Sequence, residues 1–252
     1  MKQRIRESFN RAANSYDSAA SIQRRICERL LAAHELCLAP SPDILDAGCG
    51  TGYGTRLMQK KWPGARIAAV DFAPAMLEIA REEPGHYLAA DIEKLPFAEG
   101  SFDLWWSSLA IQWCDNALVF AEAARLLRRG GSIAFSTLGT ETFAEIRSAF
   151  ARIDEHRHTL SFTTDETLKA MLMDSGFKHI VLFREQHFAH YPDLKSLLRS
   201  VKNIGAQNVG SGGRSGMLGR HAWQKVEAAY EQYRQADGLP ARYDVILAYA
   251  TK

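Results

Sequence analysis

The sequence predicts an α/β fold: a doubly wound, mostly parallel sheet of seven strands. From residue 42 onward, short apolar runs of strand length alternate with segments of helical spacing, as is typical of βαβ units and a parallel sheet. A glycine-rich turn follows the first of these strands, at the position where open α/β sheets bind ligands. The 252 residues suffice for one such domain with additions.

Seven apolar runs are predicted to be strands. They lie at 43–48, 65–71, 86–91, 102–108, 131–139, 177–188 and 242–251. Helical periodicity predicts helices at 53–62, 74–83, 116–129, 141–153, 164–176, 193–203 and 221–236. The same periodicity over 3–37 predicts two further amphipathic helices, with a break near 14–17.

Composition places the chain among ordinary soluble globular proteins, with 46% hydrophobic residues, 24% charged residues and a net charge of +2. No apolar run approaches the ~18–20 residues that span a bilayer, and the N-terminal segment lacks the apolar core of a secretory signal. Four scattered cysteines show no metal-binding spacing. We therefore expect a cytoplasmic protein with reduced thiols and no metal.

The segment ILDAGCGTGYGT, at 44–55, joins the first strand to the next helix. A dinucleotide-binding pattern would need glycine where Tyr53 stands, and the G-K-[ST] of a P-loop is absent. Asp46 precedes the glycines, and this combination resembles the first motif of class I S-adenosylmethionine-dependent methyltransferases. The resemblance implies that Gly48 and Gly50 pack against this cofactor, while Asp46 orients the loop and the methionine moiety. A merely tight turn is the alternative.

Residues after the next two strands fit the same cofactor. Asp71 ends the second strand, where an acid can bind both ribose hydroxyls, although it could instead cap the following helix. Phe72 and Met76 are apolar groups suited to an adenine face. Asp91, with Ile92 beside it, ends the third strand and resembles the acid that meets the adenine amino group.

The segment SSLAIQWCDN follows the fourth strand. In class I methyltransferases the equivalent segment lines the cofactor and acceptor side, so Gln112 and Trp113 are candidates for that position. Core packing is the alternative role for Trp113.

The whole chain resembles the malonyl-acyl-carrier-protein O-methyltransferases of biotin synthesis. The resemblance rests on SFNRAANSYDSAASIQRR near the N-terminus, on LAIQW, and on NIGAQNV, GRSGMLGR and GLPARYDVILAYA toward the C-terminus. It implies transfer of a methyl group to the free carboxylate of a malonyl thioester. It also implies a single domain, 1–252, made of a helical lid (1–40), a cofactor-binding core (41–189), a helical acceptor-side insert (190–241) and the last strand (242–252).

A carboxylate acceptor needs neither a metal nor a strong base, because it is already ionised at neutral pH. It does need a positioning hydroxyl or cation. Tyr16, in the lid, is assigned the closest role, and Arg147 is a candidate for pairing with the malonyl carboxylate. The alternatives are a core aromatic for Tyr16 and an exposed helix arginine for Arg147.

Between Asp193 and Glu227 the chain has six basic residues and no acid. An acidic acyl carrier protein with its phosphopantetheine arm would suit such a surface, and Lys202, Arg214 and Arg220 are the candidate contacts. A nucleic acid or a solvated loop are the alternatives. A second basic pair, at 24–25, is a candidate for flanking the same mouth.

Other functions remain open at this point. They are methylation of another small carboxylic acid or a quinone-type acceptor, and a non-catalytic S-adenosylmethionine-binding module. An RNA methyltransferase is disfavoured, because LAIQW lacks the N/D-PP-[YF] arrangement of enzymes that methylate nucleic-acid amino groups. We expect neither a nucleic-acid nor a membrane partner.

Overall fold

A computed structural model describes residues 2–83, 85–153, 155–206 and 218–252. The strands are β1 Asp43–Ala47, β2 Arg66–Asp71, β3 His86–Ala89, β4 Phe102–Ser108, β5 Leu127–Leu138, β6 Lys178–Tyr191 and β7 Leu239–Thr251. The helices are α1 Lys2–Ala19, α2 Ser21–Ala32, α3 Tyr53–Lys61, α4 Pro74–Ala80, α5 Asn116–Leu126, α6 Ala144–Ala151, α7 Asp165–Asp174, α8 Leu194–Asn203 and α9 Arg220–Glu231.

The seven strands form one sheet in the order β3-β2-β1-β4-β5-β7-β6. β1 to β5 run parallel, whereas β7 is antiparallel to both β5 and β6. The chain leaves β1 toward β2 on one side and returns to β4 on the other, so the strand order reverses at β1. Such a reversal opens a crevice at the carboxyl ends of the strands. The predicted mostly parallel seven-stranded fold is confirmed.

Alternate strand residues face two separate apolar cores, one on each side of the sheet. Ile44 of β1 packs with α2 residues, including the fully buried Ile26. Leu45, the next residue along β1, packs on the opposite side with Val119 and Phe120 of α5. Because successive strand side chains point to opposite faces, continuous apolar runs such as 43–48 are what a sheet covered on both faces requires.

The predicted helix break at 14–17 is wrong: α1 continues to Ala19, and α2 begins at Ser21. Ser15 would compete with the helix if its hydroxyl had no other partner. Here it accommodates the helix, bonding to the carbonyl of Ala12 one turn back and to the carbonyl of Asn203 in α8. Tertiary contact therefore overrides the local sequence signal.

The boundary between α5 and β5 also differs from the prediction. The helix ends at Leu126 rather than at 129, and β5 begins at Leu127. Leu127 pairs with Phe102 of β4, after which the register shifts before Ser132 pairs with Leu104. The first residues of β5 are irregular and include two glycines. The start of this strand therefore could not be predicted from the periodicity of apolar residues.

Two helices, α8 and α9, lie between β6 and β7. Part of the predicted insert, including Arg214, falls outside the described residues. All four cysteines are unpaired. In the described part of the chain, no helix has the length and apolar character needed to cross a bilayer.

Candidate active site

Two adjoining cavities lie at the carboxyl ends of β1, β2 and β4. The first chamber extends along the ends of β2 and β3. The second chamber lies between the glycine turn and the two N-terminal helices. Tyr16, Gly48, Gly50 and Ser108 line both chambers. All eight residues predicted to bind the cofactor line one chamber or both.

The glycine turn is constrained at Gly48 and open at Gly50. Gly48 has φ +82°, and a Cβ there would lie 2.4 Å from the Cβ of Ala110, in the loop after β4. Gly50 has φ +54° and no atom within 4 Å of a would-be Cβ. Its N–H donates to Asp71 at 2.9 Å. The turn thus brings bare backbone to the wall of both chambers.

Asp46 lies at the base of the second chamber and is 2% exposed. It accepts a hydrogen bond from the Thr55 hydroxyl at 2.6 Å. Burial, together with the nearby charge of Asp71, raises the pKa of Asp46 to about 7, despite the opposing hydrogen bonds from Thr55. A cation or hydrogen-bond donor in this chamber would favour the ionised carboxylate.

Asp71 is held rigidly at the end of β2. Its two oxygens accept from the backbone N–H groups of Ala73, at 2.8 Å, and Gly50, at 2.9 Å. Burial raises its pKa to about 6, and these hydrogen bonds oppose that rise. The carboxylate is therefore oriented before any ligand arrives, as recognition of a diol requires.

The first chamber has apolar and aromatic walls. Phe72, Met76 and Ile92 line it as predicted, and so does Trp113. Phe9 of α1 covers this wall, with its ring edge-on to Trp113 at 5.5 Å and to Phe72 at 6.2 Å between centroids. A planar heterocycle fits such surroundings.

Asp91 lines the first chamber, where Lys2 of α1 donates to its Oδ2. Lys2 also pairs with Glu93. The N-terminal turn of α1 is thereby anchored beside the carboxylate predicted to meet an adenine amino group. No sequence pattern indicated this pairing, since 89 positions separate the partners.

Tyr16 projects from α1 to the junction of the two chambers. Burial raises the pKa of its hydroxyl well above the ordinary range, and the carboxylates of Asp71 and Asp17 add to this. The phenol therefore stays protonated at physiological pH and can donate a hydrogen bond there.

The loop after β4 has strained backbone at the first chamber. Leu109 has φ +52°, unusual for a branched side chain, and its N–H lies 3.0 Å from the carbonyl of Ser136. Ser108, at the chamber junction, lies 3.1 Å from the Ser136 hydroxyl, oxygen to oxygen. Gln112 does not line either chamber; its amide donates to the Leu109 carbonyl at 2.7 Å and supports the turn.

The remaining predicted residues lie elsewhere. Arg147 is not among the described residues that line the two chambers; its guanidinium donates to the carbonyls of Thr142 and Thr140. Lys202, near the end of α8, and Arg220, at the start of α9, are exposed. Arg214 lies outside the described residues, and its role stays a prediction.

Several site residues escaped sequence reasoning. Phe9 lies seven positions before Tyr16 and thus on the same face of α1, a signal that could have identified it. Asp17 accepts from the Thr51 hydroxyl at 2.8 Å and so joins the lid to the glycine turn. Nothing in the local sequence points to that contact.

The second chamber also holds three buried side-chain atoms without a hydrogen-bond partner. They are Oε1 of Gln23, Nε of Arg24 and Nε1 of Trp106. Polar atoms buried in this way are normally satisfied. With the Asp71 carboxylate and the aromatic wall of the first chamber, these atoms give the two chambers the mixture of apolar, acidic and hydrogen-bonding groups that S-adenosylmethionine needs.

Comparison with known proteins defines the class. A family model described as a methyltransferase domain matches residues 45–135. The fold is similar to the crystal structure of an S-adenosylmethionine-dependent methyltransferase from Thermotoga maritima, with a TM-score of 0.59, 19% identity and coverage of 98% of this chain and 99% of that one. The chain is a class I S-adenosylmethionine-dependent methyltransferase.

Full-length relatives define the family. The malonyl-[acyl-carrier protein] O-methyltransferase of Dechloromonas aromatica is 49% identical, over 100% of this chain and 95% of the relative. That of Laribacter hongkongensis is 40% identical, over 99% and 89%. The chain belongs to the malonyl-[acyl-carrier protein] O-methyltransferase family, as its sequence motifs predicted.

Proposed function

We propose that this enzyme methylates the free carboxylate of the malonyl group on acyl carrier protein, giving the methyl ester that primes the pimeloyl chain of biotin. The observation that supports this most strongly is the 49% identity to a relative named for this reaction, over essentially both full lengths. The ester hides a charge, so that chain-elongating enzymes can accept the acyl group in apolar sites.

Methylation of a carboxylate does not require the protein to remove a proton from the acceptor. A malonyl carboxylate is ionised at neutral pH, because carboxyl groups titrate near 4. When bound, the cofactor would supply its sulfonium methyl group to the carboxylate oxygen, and the electron pair of the broken S–C bond would stay on sulfur. The protein must bring the reactants together in line and keep water out.

Tyr16 is suited to positioning the acceptor. Its hydroxyl lies where the two chambers meet and remains protonated, so it donates a hydrogen bond and does not act as a base. Phe9, packed against Trp113, closes the first chamber from the lid side. Together these residues are placed to hold a carboxylate beside the cofactor.

The contact of Arg147 with the malonyl carboxylate stays a prediction. Its guanidinium now holds two carbonyls of the loop after β5. A guanidinium has five N–H donors, so these two bonds leave others free, but Arg147 is not among the described residues that line the two chambers. Replacement of Arg147 by glutamine separates the two roles: a carboxylate contact predicts a raised KM for the acceptor, and a loop support predicts a lowered melting temperature.

The carrier protein is proposed to dock on the basic side of the insert. Lys195, Arg199 and Lys202 are exposed and spaced by four and three residues, which places them on one face of α8. Leu194 and Leu197 are buried on the opposite face. Arg220 is a further candidate contact for an acidic partner. We propose the same contact for Arg214, which lies outside the described residues.

The decisive experiment is an acceptor assay with methyl-labelled cofactor. Malonyl carrier protein, malonyl-CoA and unmalonylated carrier protein are compared side by side. We expect label on the malonyl carrier protein, released as methanol by mild base because the product is an ester. The unmalonylated protein should remain unlabelled.

Two results would contradict the proposal. Absence of transfer to either malonyl thioester, with cofactor binding intact, would indicate another acceptor or a non-catalytic binding module. A labelled product stable to base would indicate transfer to carbon or to a ring oxygen, as a quinone-type acceptor would give.

A further inference from the structure

The helix α1 carries cations on the side that borders α8. Arg4 and Arg11 are exposed and share one side of the helix with Ser8 and Ser15, because these positions recur every three or four residues. Nη2 of Arg11 donates to the Ser8 hydroxyl at 3.2 Å. The Ser15 hydroxyl bonds to the carbonyl of Asn203, the last residue of α8, at 3.0 Å. The two arginines therefore lie on the side of the lid that contacts the insert.

The cations of α8 reach the same contact. Lys195, Arg199 and Lys202 are exposed and occupy one face of α8. Lys202 directly precedes Asn203, whose carbonyl bonds to Ser15 of α1. Exposed cations of the lid and of the insert thus meet at the junction of α1 and α8.

The positive charge at this junction is not neutralised by neighbouring acids. Four of its exposed cations form no ion pair with an acid in the part of the chain that the structure describes: Arg11, Lys195, Arg199 and Lys202. Glu7 of α1 accepts a hydrogen bond from Gln3 at 3.2 Å. Asp193 caps the start of α8 and accepts from the N–H of Ser196 at 2.7 Å. The junction therefore offers the charge that a surface for an acidic partner needs.

We propose that α1, together with α8, forms the docking surface for the acyl carrier protein, and that a docked carrier protein holds the lid over the cofactor. The partner is the one that the proposed function supplies, so the inference rests on that function. Acidic side chains of the carrier protein face Arg4 and Arg11 of the lid and also Arg199 and Lys202 of the insert. One partner then bridges both helices.

The effect on the cofactor follows from the position of α1 at the first chamber. Lys2, Phe9 and Tyr16 line this chamber, and the Phe9 ring packs edge-on against Trp113 at 5.5 Å between centroids. A ligand leaves the chamber more slowly when α1 is held in place. A carrier protein bound to both α1 and α8 restrains the lid in this way. The cofactor therefore binds before the carrier protein, and S-adenosylhomocysteine leaves after it.

Binding of malonyl carrier protein to the enzyme saturated with S-adenosylhomocysteine tests the surface, because this complex has no methyl group to transfer. We expect Arg11→Glu to weaken carrier binding about 3- to 10-fold at low salt, measured by calorimetry. Arg11→Gln should weaken it by a smaller factor. Arg11 is exposed, so both variants should melt at the wild-type temperature.

Arg6→Glu is the matched control. Arg6 is exposed on another side of the same helix, where it lines a cavity with Phe72 and Ala89. The same charge reversal there should leave the affinity for malonyl carrier protein at the wild-type value. Equal carrier affinities in Arg11→Glu and Arg6→Glu would overturn the docking role of α1.

Release of S-adenosylhomocysteine tests the effect on the lid. We expect malonyl carrier protein, at a concentration that saturates the wild type, to slow this release at least about 5-fold. Stopped-flow tryptophan fluorescence measures the rate, since Trp113 lines the chamber. The slowing should be smaller in Arg11→Glu and unchanged in Arg6→Glu. A release rate that does not respond to the carrier protein in the wild type would contradict the proposed restraint of the lid.

The acceptor assay separates failure of this inference from failure of the proposed function. If the wild type methylates malonyl carrier protein but Arg11→Glu binds it like the wild type, only the docking role of α1 is wrong. If the wild type neither binds nor methylates malonyl carrier protein, the proposed function is wrong and the docking surface with it.

Discussion

Asp46 and Asp71 are two carboxylates buried within one site, and the protein stabilises their ionised forms only in part. Burial raises their pKa values to about 7 and about 6. A protein without ligand therefore holds protons on these groups at pH values where an exposed aspartate would be fully ionised. An ammonium or hydroxyl group of a ligand in the site would supply such partners.

Cofactor affinity should consequently depend on pH. Below its raised pKa, Asp46 is mostly protonated and uncharged. In that form it does not attract an ammonium group. We expect the affinity for S-adenosylhomocysteine to fall as the pH falls from about 8 through 7 and 6, by up to about tenfold per unit below the pKa. Calorimetry across this range measures it.

Asp46→Asn provides the control for this pH dependence. It should bind weakly at pH 8 and lose the part of the dependence centred near 7, while the part due to Asp71 persists near 6. An affinity that stays constant from pH 8 to 5.5 in the wild type would contradict the assigned roles of both carboxylates.

Among the site residues, the sequence alone identified those that lie directly at the ends of predicted strands. Asp46, Gly48 and Asp71 adjoin the ends of consecutive strands, so position along the chain predicted position in space. Asp17 could not be found this way, and Arg24 was predicted only as one of a basic pair at the mouth of the site. Their positions at the second chamber depend on how α1 and α2 pack against the glycine turn, which local sequence does not specify.

Among the helices, α1 connects the cofactor site to the insert. Phe9 contacts Trp113 at the first chamber and also lies against Gly205, just after α8. Ser15 bonds to the carbonyl of Asn203. A shift of α8 would therefore move the lid residues that cover the cofactor.

Substitution of Gly205 tests this connection. Gly205 has φ +74°, and a Cβ there would lie 3.0 Å from the Phe9 ring and 3.2 Å from the Phe9 Cα. We expect Gly205→Ala to displace α1 and weaken cofactor binding several-fold, measured by calorimetry. The strained backbone alone should cost about 1–2 kcal/mol of unfolding free energy.

Gly176→Ala separates strain from contact. Gly176 has φ +90° but no atom within 4 Å of a would-be Cβ, so it should lose similar stability and keep wild-type cofactor affinity. Equal cofactor affinity in the two variants would show that the Phe9 contact does not matter for binding.

The existence of the helices was predictable, whereas their ends were not. Periodicity predicted every α-helix of the described residues, because apolar positions recur wherever an α-helix covers the sheet. The continuous α1 was missed because Ser15 finds a partner in α8, a contact across 188 positions.

For the whole molecule, charge is unevenly distributed even though the net charge is only +2. The exposed cations of α8 and the start of α9 face no acid within their own stretch of chain. Such a surface steers an acidic partner and affects association more than it affects folding.

Charge reversal should raise the KM for malonyl carrier protein. We expect Lys202→Glu with Arg220→Glu to raise it about 3- to 10-fold at low salt, with the difference shrinking as salt screens the charges. Arg214→Glu should add to this effect. Steady-state kinetics at two ionic strengths measure it, while cofactor affinity should stay unchanged.

Lys60→Glu, at an exposed site near the end of α3, is the control for a general change in net charge. It should leave the KM for the carrier protein at the wild-type value. A fall in cofactor affinity in the double variant would instead place the insert surface at the cofactor site.

The position of β7 bears on how the chain folds during synthesis. β6 is complete at Tyr191, but in the described residues it pairs only with β7, which starts at Leu239. Until the ribosome has delivered that strand, β5 presents an unpaired edge and β6 has no strand to join. Unpaired edges invite association with other nascent chains. The helices of the insert thus emerge during the interval in which the half-made sheet is most vulnerable to aggregation.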